Sequence, residues 1–443
     1  MKNDRKFLRL KYLSILVITM VIFQYQVVLA QFANGADVSW LSQMEASGYV
    51  FRNNAGVKEN CLQILKEKGI NALRFRLWVN PPGGYCNEKD VAYMAHRADS
   101  MGFNVLLDFH LSDTWADPGH QTIPAAWAND SFTQLKQNVY NYVYGVLDSL
   151  KSVGVIPKWV QIGNEVGNGI LWPDGKASNM SNFAALIQSG YNAVKAVDST
   201  IQVIIHLEDG HNDALFRQIF DGLKSYGTKW DIIGMSVYPY WANYPNSLSW
   251  VVDDSLALIT MKDMISRCNT KVMVCEAGYL YYQPTDAKNY LVDLIRKTKS
   301  VGGLGVFYWE PECYNWQNYN MGAWDPKTQE PTIAMDAFLD TTATSVFQEK
   351  NVTPFEFNIY PNPFNPSTTI QYSLPKSEKV IVKIYNILGE PVKTLVDANE
   401  EAGVHSVIWS GRNDFNNQAA SGIYLVIINY GERFQSRKIV LLK

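Results

Sequence analysis

The 443-residue chain carries 39 basic and 42 acidic side chains, a formal net charge of −3, and residues 31 to 356 hold 25 of those bases against 34 of the acids. An acidic balance of this kind argues against nucleic acid and strongly anionic polymers as partners and suits a neutral ligand. The five cysteines, Cys61, Cys86, Cys268, Cys275 and Cys313, form no CxxC pair and no Cys/His cluster at zinc spacing; they allow up to two disulfides, leave a buried thiol, and require neither a metal nor a cofactor.

In chain order, the first element is a targeting segment. Lys2, Arg5, Lys6, Arg9 and Lys11 precede the apolar run YLSILVITMVIF and a small residue at Ala30. That order describes a secretory signal peptide over residues 1–30, and the run is short for a bilayer span. The competing reading is an uncleaved anchor. The expectation is a secreted or cell-surface protein whose mature chain starts near Gln31.

From 31 to 340, short apolar runs alternate with amphipathic stretches. The predicted strands are GADVSW, ALRFRLWV, NVLLDFHLS, WVQIGNE, IQVIIHLE, DIIGMSVYPY, KVMVCEAGY and LGVFYWE. Between them lie helical stretches such as AYMAHRADSMG, LKQNVYNYVYGVLDSLKSVG, FAALIQSGYNAVKAV and AKNYLVDLIRKTKSVGG, several ending in the Gly of a helix C-cap. Eight strand–helix units predict an α/β fold, a (β/α)8 TIM barrel, with a doubly wound open sheet as the runner-up.

In such a barrel the residues able to meet in one cleft are those at the C-terminal ends of the strands. Those ends carry Asp37, Arg74 and Arg76, Asp108 and His110, Asn164 and Glu165, His206, Tyr238, Glu276, and Trp309 with Glu310. Solvated loop starts would scatter charges; this mixture of carboxylate, imidazole, guanidinium and phenol points to one site. Glu165 follows the fourth strand and Glu276 the seventh, nearly opposite across the barrel. Two carboxylates flanking an acetal are what glycoside hydrolysis needs, one as acid and one as nucleophile or base. Arg74 or Arg76 could hold Glu276 ionised, while the charge on Glu276 would raise the proton affinity of Glu165. Asn164 is suited to a sugar hydroxyl. Trp78, Trp115, Trp172, Trp241, Trp309 and Trp316 sit at or after strand ends, where flat rings could stack on pyranose faces; Trp159 and Trp230 precede strands and read as packing.

His96, His120, His211 and His405 have no ligand partner at metal spacing, and DGHND at 209–213 is an incomplete cation loop. After the predicted linker at 341–356 the pattern changes to short alternating strands with Pro, Asn and Gly turns, which predicts a small all-β sandwich over 357–443.

The segment DFHLSDTWADPGHQTIPAAW, with LRFRLWVNP, IGNEVGNGILWP, IIHLEDG, SVYPYW and FYWEP, resembles the endo-β-1,4-galactanases of glycoside hydrolase family 53. The resemblance runs from about Gly35 to about Phe338. It implies a TIM barrel and retaining endo-hydrolysis of β-1,4-galactan, the neutral cell-wall side chain of type I arabinogalactan in pectin, with Glu165 as acid/base and Glu276 as nucleophile. It further implies substrate contacts at Asp37, Arg74, Arg76, His110, Asp113, Trp115, Asn164, His206, Tyr238 and Trp309. Some members bind calcium in a long acidic loop after the seventh strand; here LYYQPTDAKN is short and almost without acids, so no such site is expected. The tail motifs YPNPFNPSTTIQYSLP, IYNILGE and SGIYLV resemble a C-terminal sorting domain of type IX secretion, which implies a secretion-machinery partner; a carbohydrate-binding module is the rival reading. The functional alternatives are another β-1,4-glycanase, acting on mannan, xylan or glucan, and a non-catalytic glycan-binding protein.

Overall fold

Eight parallel strands, β1 (Ala33–Asp37), β2 (Ala72–Leu77), β3 (Asn104–Phe109), β4 (Trp159–Ile162), β5 (Gln202–Leu207), β6 (Ile232–Val237), β7 (Lys271–Ala277) and β8 (Gly305–Trp309), pair in sequence order. β8 returns to β1, with Ala33 opposite Gly305 and Asp37 opposite Trp309, so the sheet closes. Closure excludes the open doubly wound sheet and makes this the expected TIM barrel. The structure is a computed structural model and describes residues 31–242, 249–339, 357–374, 376–431 and 433–443. The predicted signal peptide at 1–30 and linker at 341–356 lie outside the described residues.

Every barrel strand is buried on both faces, which is why most read as nearly continuous apolar runs. Their interior positions fill one end of the barrel with Ala33, Ala72, Leu106, Trp159, Ile204, Ile232, Met273, Cys275 and Phe307. Side chains two residues apart share a face. One step further along the same interior rows come Arg74, Asp108, Gln161, His206 and Trp309. The interior thus changes from apolar to polar within one repeat, and the polar layer is the floor of the site.

The helices begin three or four residues earlier than apolar periodicity suggests, at Glu88, Phe132, Met180 and Pro284. Three of the four are capped by a side chain, and the fourth starts on Pro284. Asn87, Ser131 and Asn179 accept backbone N–H groups, and Ser131 with Gln134 completes a capping box.

Beyond residue 356, seven strands form two antiparallel sheets. β9 (Phe357–Tyr360), β10 (Thr368–Leu374) and β13 (Gly403–Trp409) make one, and β12 (Pro391–Glu400), β11 (Glu378–Asn386), β14 (Gly422–Tyr430) and β15 (Arg433–Leu441) the other. Their facing residues, including Ile370, Tyr372, Val380, Val382, Trp409, Val426 and Ile428, form a separate buried core. Leu425 and Ile427 pack on Val252 and Leu256 of the barrel helix Trp250–Cys268, and the Ser255 and Ser436 hydroxyls lie 2.9 Å apart. All five cysteines are free thiols, four of them buried. Among the described residues no helix is long and apolar enough to cross a membrane.

Candidate active site

The polar floor is organised by Arg74, which is completely buried. Its Nη1 donates to Asp37 Oδ2 at 2.6 Å, its Nη2 lies 2.8 Å from Asp108 Oδ2 and 2.9 Å from Glu276 Oε1, and its Nε donates to Gln161 Oε1 at 2.9 Å. A buried charge is tolerated only when paired and hydrogen-bonded. Here one guanidinium serves three carboxylates, which keeps Arg74 protonated against the desolvation that opposes it. Asp108 also accepts from His110 Nε2 at 2.9 Å. His110 Nδ1 in turn accepts from Trp78 Nε1 at 3.2 Å and from the Ala116 amide at 3.1 Å. That fixes the tautomer. Burial, helped by the two arginines, holds His110 neutral.

Glu276 reaches this floor through a register shift: Met235 pairs with Val274, but Ser236 pairs with Glu276. The extra residue in β7 turns Glu276 inward. There Arg74 binds one oxygen and the Tyr238 hydroxyl donates to the other at 3.1 Å.

Glu165 stands where the chain leaves β4. Gly163 has φ +81°, and a Cβ there would lie 2.5 Å from Val166 Cγ1, so glycine is required. Glu165 itself is left-handed, with φ 46° and ψ 59°, a conformation that costs a non-glycine residue about 1–2 kcal/mol. Long-range contacts hold the turn. Gln121 Nε2 donates to the Asn164 carbonyl at 2.9 Å, and Glu208 accepts the Gly167 N–H at 3.1 Å. A side chain at Gly167 would collide with Glu208, whose Oε1 is 2.1 Å from the position of a Cβ. The Ser236 hydroxyl lies 2.6 Å from Glu165 Oε1.

The two carboxyls occupy different electrostatic settings. Burial, then the charge on Glu276, pushes Glu165 well above the ordinary carboxyl range. Burial also lifts Glu276, to about 7, even with Arg74 and Tyr238 pulling it down. The proton of the pair therefore rests on Glu165 and the charge on Glu276.

Above the floor opens a cleft of about 360 Å³, lined by His110, Trp115, Ala116, Asp117, Asn164, Glu165, Tyr238, Trp241, Glu276 and Trp309. Trp115 and Trp309 are 6.0 Å apart between ring centres, and Trp40 meets both edge-on. Arg76 sits 4.2 Å from the Trp115 ring centre and 4.8 Å from that of Trp78, with its Nη1 3.4 Å from Glu310 Oε1. It supports the aromatic wall and leaves Glu276 to Arg74.

Of the twelve residues expected at the site, Glu165, Glu276, His110, Trp115, Asn164, Tyr238 and Trp309 line the cleft. Asp37, Arg74, Arg76 and His206 are buried beneath it. Asp113 is a loop staple, accepting the amides of Asn80 and Ala125. Trp241 lines the cleft as the strand-end pattern suggested, whereas the Trp172 Nε1 is turned to the Asn168 carbonyl. Sequence reasoning missed Trp40, Gln121, Gln161 and Ser236. Gln161 carried a readable signal, a lone amide inside the buried strand WVQI. Among the described residues no group of three or more His, Cys, Asp or Glu is arranged to hold a metal ion.

The signature of Glycosyl hydrolase family 53 matches residues 33–348, about 70% of the chain and the whole barrel. The chain belongs to this family. Among relatives of the family 53 chain, an arabinogalactan endo-β-1,4-galactanase of Thermothelomyces thermophilus is 31% identical over 340 residues, covering 71% of this chain and 98% of that protein. A probable arabinogalactan endo-β-1,4-galactanase A of Aspergillus terreus is 35% identical over 303 residues, 62% of this chain and 84% of its own. Two fungal β-1,4-galactanases are represented by a structure that superposes with a TM-score of 0.65 at 27% identity, over 70% of this chain and 99% of that one. The family 53 catalytic domain of Ignisphaera aggregans gives 0.64 at 29% identity, over 71% and 97%. As a member of family 53 the protein is a glycosidase. Its residues 365–432 match the FlgD Ig-like domain.

Proposed function

We propose that the protein is a retaining endo-β-1,4-galactanase in which Glu276 is the nucleophile and Glu165 the acid/base. One observation carries the assignment: the two carboxyls share a cleft, and Arg74, at 2.9 Å, touches Glu276. The galactan specificity rests on similarity to the arabinogalactan endo-β-1,4-galactanases named above. In the first step Glu276 attacks the anomeric carbon while Glu165 gives its proton to the departing glycosidic oxygen. The bond to the leaving chain breaks as the ester to Glu276 forms. With Glu276 esterified its charge is gone, the proton affinity of Glu165 falls, and Glu165 takes a proton from water as that water attacks the ester. The second product leaves with its β configuration restored. Trp115, Trp241 and Trp309 supply apolar faces for the sugars, and Asn164 and His110 polar contacts.

Incubation with galactan, mannan, xylan and glucan is expected to release oligosaccharides from galactan alone. Proton NMR of the first products should show the β-anomer before mutarotation. Preferential cleavage of mannan, xylan or glucan would favour the alternative glycanase, no cleavage of any polymer the binding protein, and an initial α-anomer would refute retention.

Export is part of the same proposal. Residues 1–30 act as a signal peptide and 357–443 as a sorting domain read by an outer-membrane secretion machinery, supported by the N-terminal charge pattern and the tail motifs. A chain ending at residue 340 is expected to hydrolyse galactan but to stay in the cell envelope; its normal release into the medium would refute the sorting role.

A further inference from the structure

We infer that the C-terminal sandwich braces the substrate cleft: Leu425 and Ile427 of β14 support the turn that carries Trp241, which makes them positioning residues for substrate binding. The inference rests on the cleft being the galactan site.

β14 departs from the pattern of its neighbours. In a sandwich strand one face meets the core and the other meets water, so burial alternates along the chain. β10 follows this rule from Thr368 to Leu374. In β14 five consecutive residues, Tyr424 to Ile428, are buried, and their sequence YLVII is aliphatic or aromatic throughout. Tyr424, Val426 and Ile428 point into the tail's own core. Leu425 and Ile427 point the opposite way, where an isolated sandwich would leave them in water. The barrel covers them: they are buried with Ala242, Val252 and Leu256 in one apolar cluster. The same outward face continues on β15, where Ser436 stands opposite Ile427 and Phe434 opposite Asn429. Ser436 meets Ser255, and the Phe434 ring lies 5.0 Å from that of Trp250, edge-on.

Ala242 links this interface to the cleft. It follows Trp241, whose ring lines the cleft 4.6 Å from that of Tyr238, the residue that donates to Glu276. The Trp241 and Ala242 amides both donate to the Tyr238 carbonyl, at 3.1 and 2.9 Å, so residues 238 to 242 form one tight turn. From that turn Trp241 faces the cleft and Ala242 faces the tail. Trp241 is 45% exposed, so its place depends largely on the turn beneath it.

The kinetic consequence is specific. A flat apolar face touches the sugar before and during the reaction alike, so loosening Trp241 weakens ground state and transition state together. KM rises and kcat stays. Glu165 and Glu276 are held from the barrel floor by Ser236 and Arg74, and the chemical step does not pass through the tail.

The test uses the full chain. L425T/I427T keeps a residue that favours strands and suits an outward face, and it leaves Tyr424, Val426 and Ile428 in the tail core. KM for galactan is expected to rise about three- to tenfold, the size of one misplaced aromatic contact, with kcat near that of the wild type. In a W241A background the same pair of substitutions should leave KM unmoved. In hydrogen exchange, the Trp241 and Ala242 amides should lose protection in L425T/I427T while those of β7 keep theirs. An unchanged KM, a fall in kcat alone, or a rise in KM that persists in full in W241A overturns the inference, and so does unchanged exchange at Trp241 and Ala242. Should the substitutions unfold the tail, the contact is lost as well, and the same two amides must still respond. Exchange needs no substrate. A wild-type protein that fails to cleave galactan would remove the galactanase reading, and exchange would still decide whether the tail braces Trp241.

Discussion

Replacing Glu276 with Ala is expected to lower galactan hydrolysis on the order of 10⁴- to 10⁶-fold, as removal of a covalent nucleophile does. Binding to galactan should persist, because the wall formed by Trp115, Trp241 and Trp309 is untouched. The variant leaves Arg74 with Asp37 and Asp108 as carboxylate partners, so the guanidinium stays paired and the barrel should fold. Azide can occupy the space of the lost carboxylate, attack the anomeric carbon and give an α-galactosyl azide. Retained turnover without azide would refute the nucleophile assignment. Rescue yielding the β-azide would mean that the roles of Glu165 and Glu276 are exchanged.

Glu165→Ala should show a different signature. General acid assistance is worth about 10²- to 10⁴-fold, and most when the leaving group is a sugar hydroxyl. Galactan should therefore suffer the larger loss, and an aryl galactoside with an acidic phenol a much smaller one in its first step. The pH profile gives an independent check, with the sign set by the two carboxyls. Burial and the Glu276 charge raise Glu165, so activity is present below its pKa and lost as pH rises through it. Glu276 must be ionised, so activity is lost as pH falls through its own pKa, which burial lifts and Arg74 restrains. Glu165→Ala should abolish the alkaline limb of kcat/KM and keep the acidic one. A surviving alkaline limb on galactan would assign it to another group.

Much of this site was readable because a closed barrel makes position in the chain equivalent to position in the cleft. Strand ends in GNE and CEAGY sufficed to pair Glu165 with Glu276. The two arginines of LRFRL could not be told apart, since residues two apart on a strand share a face. The structure separates them by height: Arg74 lies in the layer of Asp108 and Gln161, while Arg76 stands one step further along, among Trp40, Trp78 and Trp115. Gln121 and Ser236 were invisible for a related reason. Each acts on the Glu165 turn from a distant stretch of chain, and nothing local in QTIP or GMSV marks a residue that reaches so far.

The sequence by itself determined the fold, the face that carries the cleft and the two glutamates that line it together, because apolar periodicity and strand-end polarity are local properties of the chain. Only the tertiary structure decided which arginine holds Glu276, why the left-handed turn at Glu165 persists, and where His206 lies. Those depend on distances between residues 30 to 234 positions apart, and on the number of hydrogen-bond donors each buried acceptor can find once the barrel has closed.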